Sequence, residues 1–599
     1  MNKIMSSIKK NYKEYNMVDW IIVLGLITFC FFSYQHPDIW HTGGSSFAYL
    51  NGHIWDFYDY NKSMPDIAVN NYMPTTYIIF AIWNIPMKLL GFVSHPTMDV
   101  PIFVRLWYKG LTTLFYCGTA YIIYKTCRLL NCDKKMALFA AFLFVSNPIA
   151  IYSQFIFGQY DIITTFFITL GIYYYIKNEN WKFVFAFAIA ITCKYFAFLF
   201  FLPMLLYKEK NVLEIIKKCI GVGSIFVLEI MFYIHSQAFK DGVLGFGATG
   251  YIFDLQLDGN HVKISIVVLV WVALCAYTYF NEQTENSINW LIFYLNLVTF
   301  FSFGLSFWHP QWLLMAVPTW VLGNVISKKR DIFMLLECLL MTFYIVFVVN
   351  GWPEALDQGL FSGAVWSAFL DTSKLSLNLK MNDLFVIKNN DLIFTCFASV
   401  LFVITIFKHP KYTQNIKNID TEYSKGINRL RYLYGILIFV IPSIICLTYN
   451  YTQPTVVYAV NAENAEFMGG IPNEVVYEQY FETNVKKITG ISVMVGTYGR
   501  VNDCDVHFEL YDNEKSKLAE TTVNAAHMKD CQFNKIKWNK VDVTPGEQYI
   551  LKIYCTNVSE DLSNAITFEY TSSDVDTGNY LVCNQSKMMK NLVFEVYGK

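Results

Sequence analysis

Asp38, Gln159, Asp161, Lys194, His309 and Gln311 are polar residues set beside or inside long apolar runs of this chain. An ionised side chain within apolar sequence costs about 2.5–3.5 kcal/mol on membrane-insertion scales, so it normally faces a cavity or a partner. Lys194, in ITCKYFAFLFFLP, reads as a counter-charge for a phosphate or as the partner of Asp161 or Glu229. Asp38 follows the first apolar run, where a partly desolvated carboxylate can act as general base toward a hydroxyl. Its alternatives are a solvated loop acid and a helix cap. His309, in FWHPQWLL, can donate to a phosphate oxygen or sit as an interfacial histidine between two tryptophans. Glu337, near the end of its apolar run, is expected to snorkel or pair.

The stretch from 36 to 105 adds Asp56, Asp59 and Asp66 among aromatic residues and glycine. A loop this long is usually functional or disordered, and its aromatic content argues against disorder. Asp56 and Asp59, in WDFYDY, suit hydroxyl recognition beside sugar-stacking rings and suit an interfacial belt equally well. Near Asp38, His36, His41 and His53 raise a metal site. Nothing in their spacing fixes them on one face, so ordinary loop histidines are expected.

The elements that must position these groups follow from composition. The 599 residues are 54% hydrophobic and only 16% charged, in apolar runs separated by short charged loops, which makes the chain a polytopic α-helical membrane protein. Spans are expected near 20–35, 106–124, 136–152, 162–177, 182–194, 196–207, 219–237, 263–280, 288–307, 312–326, 331–350, 392–408 and 432–449. Lys3, Lys9, Lys10 and Lys13 put the N-terminus in the cytoplasm, and HPDIW after the first run favours a retained anchor over a cleaved signal peptide. Pro74 to Leu90 reads as an interfacial helix within the outer loop. Crossing there would turn the basic cluster 125–135, and every later basic loop, outward. The short runs 182–194 and 196–207 are expected as a hairpin with Lys194 at its turn.

From Thr452 the pattern changes to period-2 segments such as SVMVGTY and QYILKIY, which predicts an extracytoplasmic β-sandwich or jelly roll over 451–599 after a membrane domain over 1–450. Tyr498 and Tyr554 are expected in its core or on a sheet face rather than as a sugar platform. Cys504, Cys531, Cys555 and Cys583 allow two disulfides there, with three connectivities. The near-zero net charge of −1 points to no acidic or basic partner, and no nucleic-acid role is expected.

The ordered set NYMPTTY (71–77), GQYD (158–161), Lys194 in a broken span and SFWHPQWLLMAVP resembles the GT-C superfamily of membrane glycosyltransferases over roughly residues 15 to 330. Within it the chain is similar to the asparagine-linked-glycan glucosyltransferases and their bacterial mannosyltransferase-like relatives. The resemblance implies transfer of a hexose, with inversion, from a polyprenyl-phosphate donor to a hydroxyl of a glycan, glycolipid or protein on the outer face of a bacterial plasma membrane. The spans expected from the apolar runs, about thirteen transmembrane helices, stand beside it, and the resemblance implies no cofactor or metal. In that scheme Asp38 is the base, Lys194 and His309 bind the donor phosphate, and Gln159, Asp161, Gln311 and Asp59 orient substrate. One position departs: Asn71 stands where relatives place an acid before the Y-P-P segment, so the base role moves to Asp38. A transporter or flippase for lipid-linked sugars is the competing reading, and it predicts inverted repeats that the sequence lacks. A scaffold presenting the β-domain would leave Lys194 and the long first loop unexplained.

Overall fold

The computed structural model describes residues 17–259, 262–282, 286–351, 364–368, 390–415, 419, 425–441, 443–444, 455–460, 465–572, 575 and 578–598. The N-terminal lysines and the end of the run 432–449 lie outside the described residues. The chain divides into two compact units, Met1–Thr448 and Tyr449–Lys599.

The first unit is helical. Numbering its helices of seven residues or more gives α1 (Met17–Ser33), α2 (Pro37–Ser45), α3 (Phe57–Ser63), α4 (Pro74–Leu89), α5 (Ile102–Leu129), α6 (Lys134–Val145), α7 (Asp161–Ile176) and α8 (Asn180–Cys193). There follow α9 (Phe198–Lys208), α10 (Val212–Tyr233), α11 (Ile266–Phe280), α12 (Ser287–Gly304), α13 (Val317–Ile326), α14 (Arg330–Gly351), α15 (Asn390–Ile406) and α16 (Lys425–Gly435). By length and composition Ser287–Gly304 and Arg330–Val348 can each cross a membrane, and two bent pairs, Met17–Ser33 with Pro37–Leu50 and Lys134–Val145 with Pro148–Ile156, qualify as broken spans.

The stretch after α1, expected as a loop, is largely helical and packed. Pro37 enters α2 at its first turn, where a missing N–H costs nothing, and the His36 side chain accepts from the Asp38 N–H. The cap is therefore His36 and not Asp38. The TGGSS run looks like a breaker, yet its glycines permit close approach: a Cβ on Gly43 would stand 2.5 Å from the Tyr108 ring, and one on Gly44 would stand 2.1 Å from the Thr97 carbonyl oxygen.

Helix α4 is two-faced. Tyr77, Phe80, Ala81, Asn84 and Met87 turn inward while Ile78, Ile82, Ile85 and Leu89 form an exposed apolar row. Glu229 on α10 caps it, accepting from the Thr75 N–H at 2.8 Å and the Thr75 hydroxyl at 2.5 Å. Glu229 is thus occupied away from Lys194.

Helices α8 and α9 touch across the turn at Lys194, as the expected hairpin requires: the Phe201 ring of α9 lies 5.1 Å from Phe183 and 5.5 Å from Phe187 of α8. Each also packs on other helices, α8 on α7 and α10, α9 on α11 and α12.

A charged cluster ties the other end of this unit. Arg431, fully buried, donates to Glu337 at 2.5 Å and to the Leu143 carbonyl at 2.8 Å. Glu337 also accepts from Asn324, whose carbonyl oxygen accepts from Lys408 at 2.5 Å. Five segments, α6, α13, α14, α16 and the end of α15, are joined through these groups. Asp19 on α1 joins them to α1 through Arg429 (2.8 Å) and Tyr432 (2.6 Å) on α16.

The second unit is a two-sheet sandwich. One sheet runs Ser586–Met588, Tyr580–Cys583, Val476–Glu482, Gln548–Thr556, Asp505–Tyr511, Lys517–Asn524, and its neighbouring strands are antiparallel. The other centres on Lys487–Gly496, flanked by Phe594–Gly598 and Gln532–Asp542. Alternate residues of facing strands, among them Ile491, Val493, Val495, Val506, Phe508, Leu551 and Ile553, fill the core. Tyr554 lies on the outer face, stacked on His507, and Tyr498 is exposed in a turn. Cys504, Cys531, Cys555 and Cys583 are free thiols, with Cys504 and Cys555 buried and sharing a hydrogen bond. The two disulfides that spacing allowed are not formed.

Removing one member of a buried ion pair strands the other. Arg431→Met is expected to destabilise the helical unit by about 3–5 kcal/mol. The double variant Arg431→Met/Glu337→Met is expected to lose less, because no charge is left alone. Thermal unfolding of both in detergent checks the order.

Candidate active site

Five chain segments bring polar groups to one cavity of about 670 Å³ in the helical unit. Asp38 and His41 come from α2, and Asn71 and Tyr72 from the irregular stretch before α4. Gln159 and Tyr160 come from the turn before α7, Lys194 from the α8–α9 break, and His309 and Gln311 from the start of the 3-10 turn Pro310–Ala316.

Local sequence explains each placement. A π-helical turn, Tyr152–Ile156, unwinds at Gly158, whose φ of 54° lies in the left-handed region that glycine adopts without strain, and this directs Gln159 inward. Lys194 is extended between two helices, so its side chain leaves the helical ladder. Pro310 ends α12's trailing loop and starts the next turn, holding His309 at its edge.

The polar groups form two linked sets. Gln311 Nε2 donates to Gln159 Oε1 at 2.7 Å, and Gln159 Nε2 donates to Asp38 Oδ2. The Asp38 carboxylate is therefore held by an amide chain anchored across the cavity, yet its side chain stays 41% exposed. His36, stacked on Phe157 at 4.3 Å, lies 3.7 Å from the same carboxylate. In the second set, Lys194 Nζ pairs with Asp161 Oδ1 and rests between the rings of Tyr160 (5.1 Å) and Trp312 (5.2 Å). Asp161 is 1% exposed and stands behind Lys194.

The buried oxygens Gln311 Oε1, Asn71 Oδ1 and Asp161 Oδ2 have no hydrogen-bond partner among the described residues. Left unpaired, such groups cost about 1–3 kcal/mol each. The site is thus short of donors, and hydroxyl groups are donors of the right kind. Burial and the neighbouring Lys194 ammonium push the His309 imidazole down to about 4, so at pH 7 it is neutral and offers one N–H.

Of the residues singled out in the sequence, Asp38, Gln159, Lys194, His309 and Gln311 line the cavity, and Asp161 supports it from behind. Asp59 does not: it is exposed on α3 and accepts from the Ala238 N–H at 3.2 Å. Sequence proximity to Asp56 and the aromatics suggested a sugar contact, but α3 turns that acid toward a neighbouring helix end. The three histidines of the stretch are separated, His36 beside Asp38, His41 on the Ala68 carbonyl and His53 on Asp56. Among the described residues no three His, Cys, Asp or Glu side chains gather as a metal site. The walls that the sequence reading passed over are Tyr72, Tyr195, Phe196 and Phe226. Their signal was weak, because aromatic residues make up 18% of the chain.

Residues 72–241 match the family model described as Glycosyltransferase family 87. No curated protein matches. Among solved structures the chain is similar to ArnT from Cupriavidus metallidurans in the apo state, at 11% identity and a TM-score of 0.32, covering 66% of this chain and 76% of that one. It is also similar to the arabinosyltransferase EmbB from Mycobacterium smegmatis, at 9% identity and a TM-score of 0.33, covering 98% of this chain and 64% of that one. Tyr72, Gln159, Asp161 and Lys194 all fall within the segment similar to that family, and the chain that carries them is a glycosyltransferase.

Proposed function

We propose that this enzyme transfers a hexose, with inversion, from a polyprenyl-phosphate donor to an acceptor hydroxyl of a glycan, glycolipid or protein. The reaction takes place on the outer face of a bacterial plasma membrane. In this reading the apolar helices span the bilayer as a GT-C type domain, α4 lies along the outer interface, the N-terminus is cytoplasmic and the β-unit is extracytoplasmic.

The observation that carries the reading is the pairing of chemistries on one cavity. A half-exposed carboxylate, Asp38, is held by the Gln311–Gln159 chain, and an ammonium, Lys194, stands with a neutral imidazole, His309. A phosphate ester of a sugar carries its own good leaving group, so no general acid is required. The acceptor oxygen attacks the anomeric carbon from the face opposite the phosphate, and its proton passes to Asp38 as the carbon–oxygen bond to phosphate breaks. Negative charge grows on the departing polyprenyl phosphate, where the Lys194 ammonium and the His309 N–H oppose it. Asp161 keeps Lys194 extended toward the cavity, and Asn71 and Gln311 offer acceptor oxygens to sugar hydroxyls.

An apolar groove supports a lipid donor. It measures about 460 Å³, is lined by Leu199, Val222 and Trp271, and shares Tyr195, Phe196 and Phe226 with the polar cavity. A phosphate at Lys194 can thus continue into a hydrocarbon tail without crossing polar surface.

Transfer from radiolabelled polyprenyl-phosphate sugars by the purified protein tests the reading. Asp38→Asn is expected to lose about 10²–10⁴-fold in kcat, the range for a general base. Lys194→Ala is expected to lose about 10²–10³-fold, as for one transition-state donor. Undiminished turnover in Asp38→Asn removes it as base. Because His309 is already neutral, the acid limb of the kcat–pH profile should stay in place in His309→Gln, and a displacement of a full pH unit would contradict its assignment as a neutral donor. A topology reporter fused at Asn131 should read as cytoplasmic, and an outside signal would break the placement of these groups on one face.

A further inference from the structure

We propose that Lys109 is a positioning residue that sets the distance between Asp38 and Gln159, an inference that rests on the glycosyltransferase reading above. Lys109 lies in the first third of α5 and is 1% exposed. Among the described residues no carboxylate pairs with it. Its Nζ instead meets four backbone carbonyls, those of Cys30 (3.1 Å), Phe31 (2.8 Å), Tyr34 (2.6 Å) and Phe155 (2.7 Å).

These carbonyls belong to two chain ends. Cys30 and Phe31 are in the last turn of α1 and Tyr34 follows it, while Phe155 is near the end of the π-helical turn Tyr152–Ile156. Helix C-termini carry unsatisfied carbonyls and partial negative charge, so two of them side by side repel and are drawn together by one ammonium. What leaves those ends is the chemistry: Asp38 lies five residues beyond Ser33, and Gln159 three beyond Ile156. The side chains of Asp38 and Gln159 then meet in a hydrogen bond. Lys109 therefore sits one layer behind that contact and holds both backbones that feed it.

A purely structural filler would not need this charge. Burying an ammonium is expensive, and an apolar side chain of the same length would pack α5 at less cost. The charge has a use where two dipole ends must be kept in a fixed relation, since misplacing a catalytic group by about 1 Å can cost on the order of 10²-fold in rate.

Lys109→Met, purified in detergent, is expected to lower kcat by tenfold or more while the KM for the lipid donor stays within threefold. In a Gln159→Ala background, where the contact to Asp38 is already gone, the same substitution is expected to cost less than threefold. A native-like kcat in folded Lys109→Met, or a full multiplicative loss in the Gln159→Ala background, overturns the proposal. Where Lys109→Met does not accumulate, Lys109→Gln keeps an amide donor without the charge, and the same two outcomes are read from it. A second measurement needs no turnover: Asp38→Cys/Gln159→Cys should be bridged by a short thiol-to-thiol reagent with Lys109 present and poorly in its absence, mapped by peptide mass against the single-cysteine controls. Equal bridging overturns the proposal. Absence of turnover by the native protein with every donor counts against the glycosyl-transfer reading alone, since the bridging result still decides the role of Lys109.

Discussion

The helical unit depends on one constraint: polar groups placed within apolar packing must find partners inside the protein. An unpartnered charge there costs several kcal/mol, so each forces a specific arrangement on the segments around it. Arg431 with Glu337 and Lys408 draws five segments together, Glu229 caps α4, and Lys109 gathers two helix ends. Apolar side chains fill the space between these points but do not select it, because dispersion and burial reward many packings about equally.

The cavity is where that partnering is left incomplete. Gln311 donates to Gln159 and Gln159 to Asp38, and Asp161 pairs with Lys194. Three buried oxygens remain without donors. A site that binds hydroxyl groups must present such acceptors before its ligand arrives, at a cost in stability that the remainder of the unit offsets. The same geometry lets Lys194, structural through its ion pair, also serve the proposed reaction. Its ion pair with Asp161 does not exhaust an ammonium's three N–H donors, and the flanking Tyr160 and Trp312 rings confine it to the cavity side.

Much of this was legible in the residues. Apolar runs located most of the helices, since burial of helical backbone in apolar surroundings leaves few alternatives, but α10 and α16 begin well before the runs at 219 and 432. Period-2 alternation located the β-unit for the analogous reason. The stretch after α1 was harder to read. Glycines in TGGSS normally break helices, and only the proximity of Tyr108 and Thr97 reveals that they are there to let α2 come close. Asp59 misled because its sequence neighbours resemble a sugar platform, whereas a helical turn directs it toward residue 238.

By itself, the sequence determined the helical and β regions and the short set of polar residues expensive enough to need a purpose. That follows because hydrophobic periodicity and the cost of desolvating charge are properties of the chain read locally. Only the tertiary structure decided which partner each charge takes. It assigned Lys194 to Asp161 rather than Glu229, capped α2 with His36 rather than Asp38, and brought Gln159 to Asp38 across 121 positions of chain. Those choices depend on distances between helices that no local pattern encodes, and the shape of the active cavity depends on them.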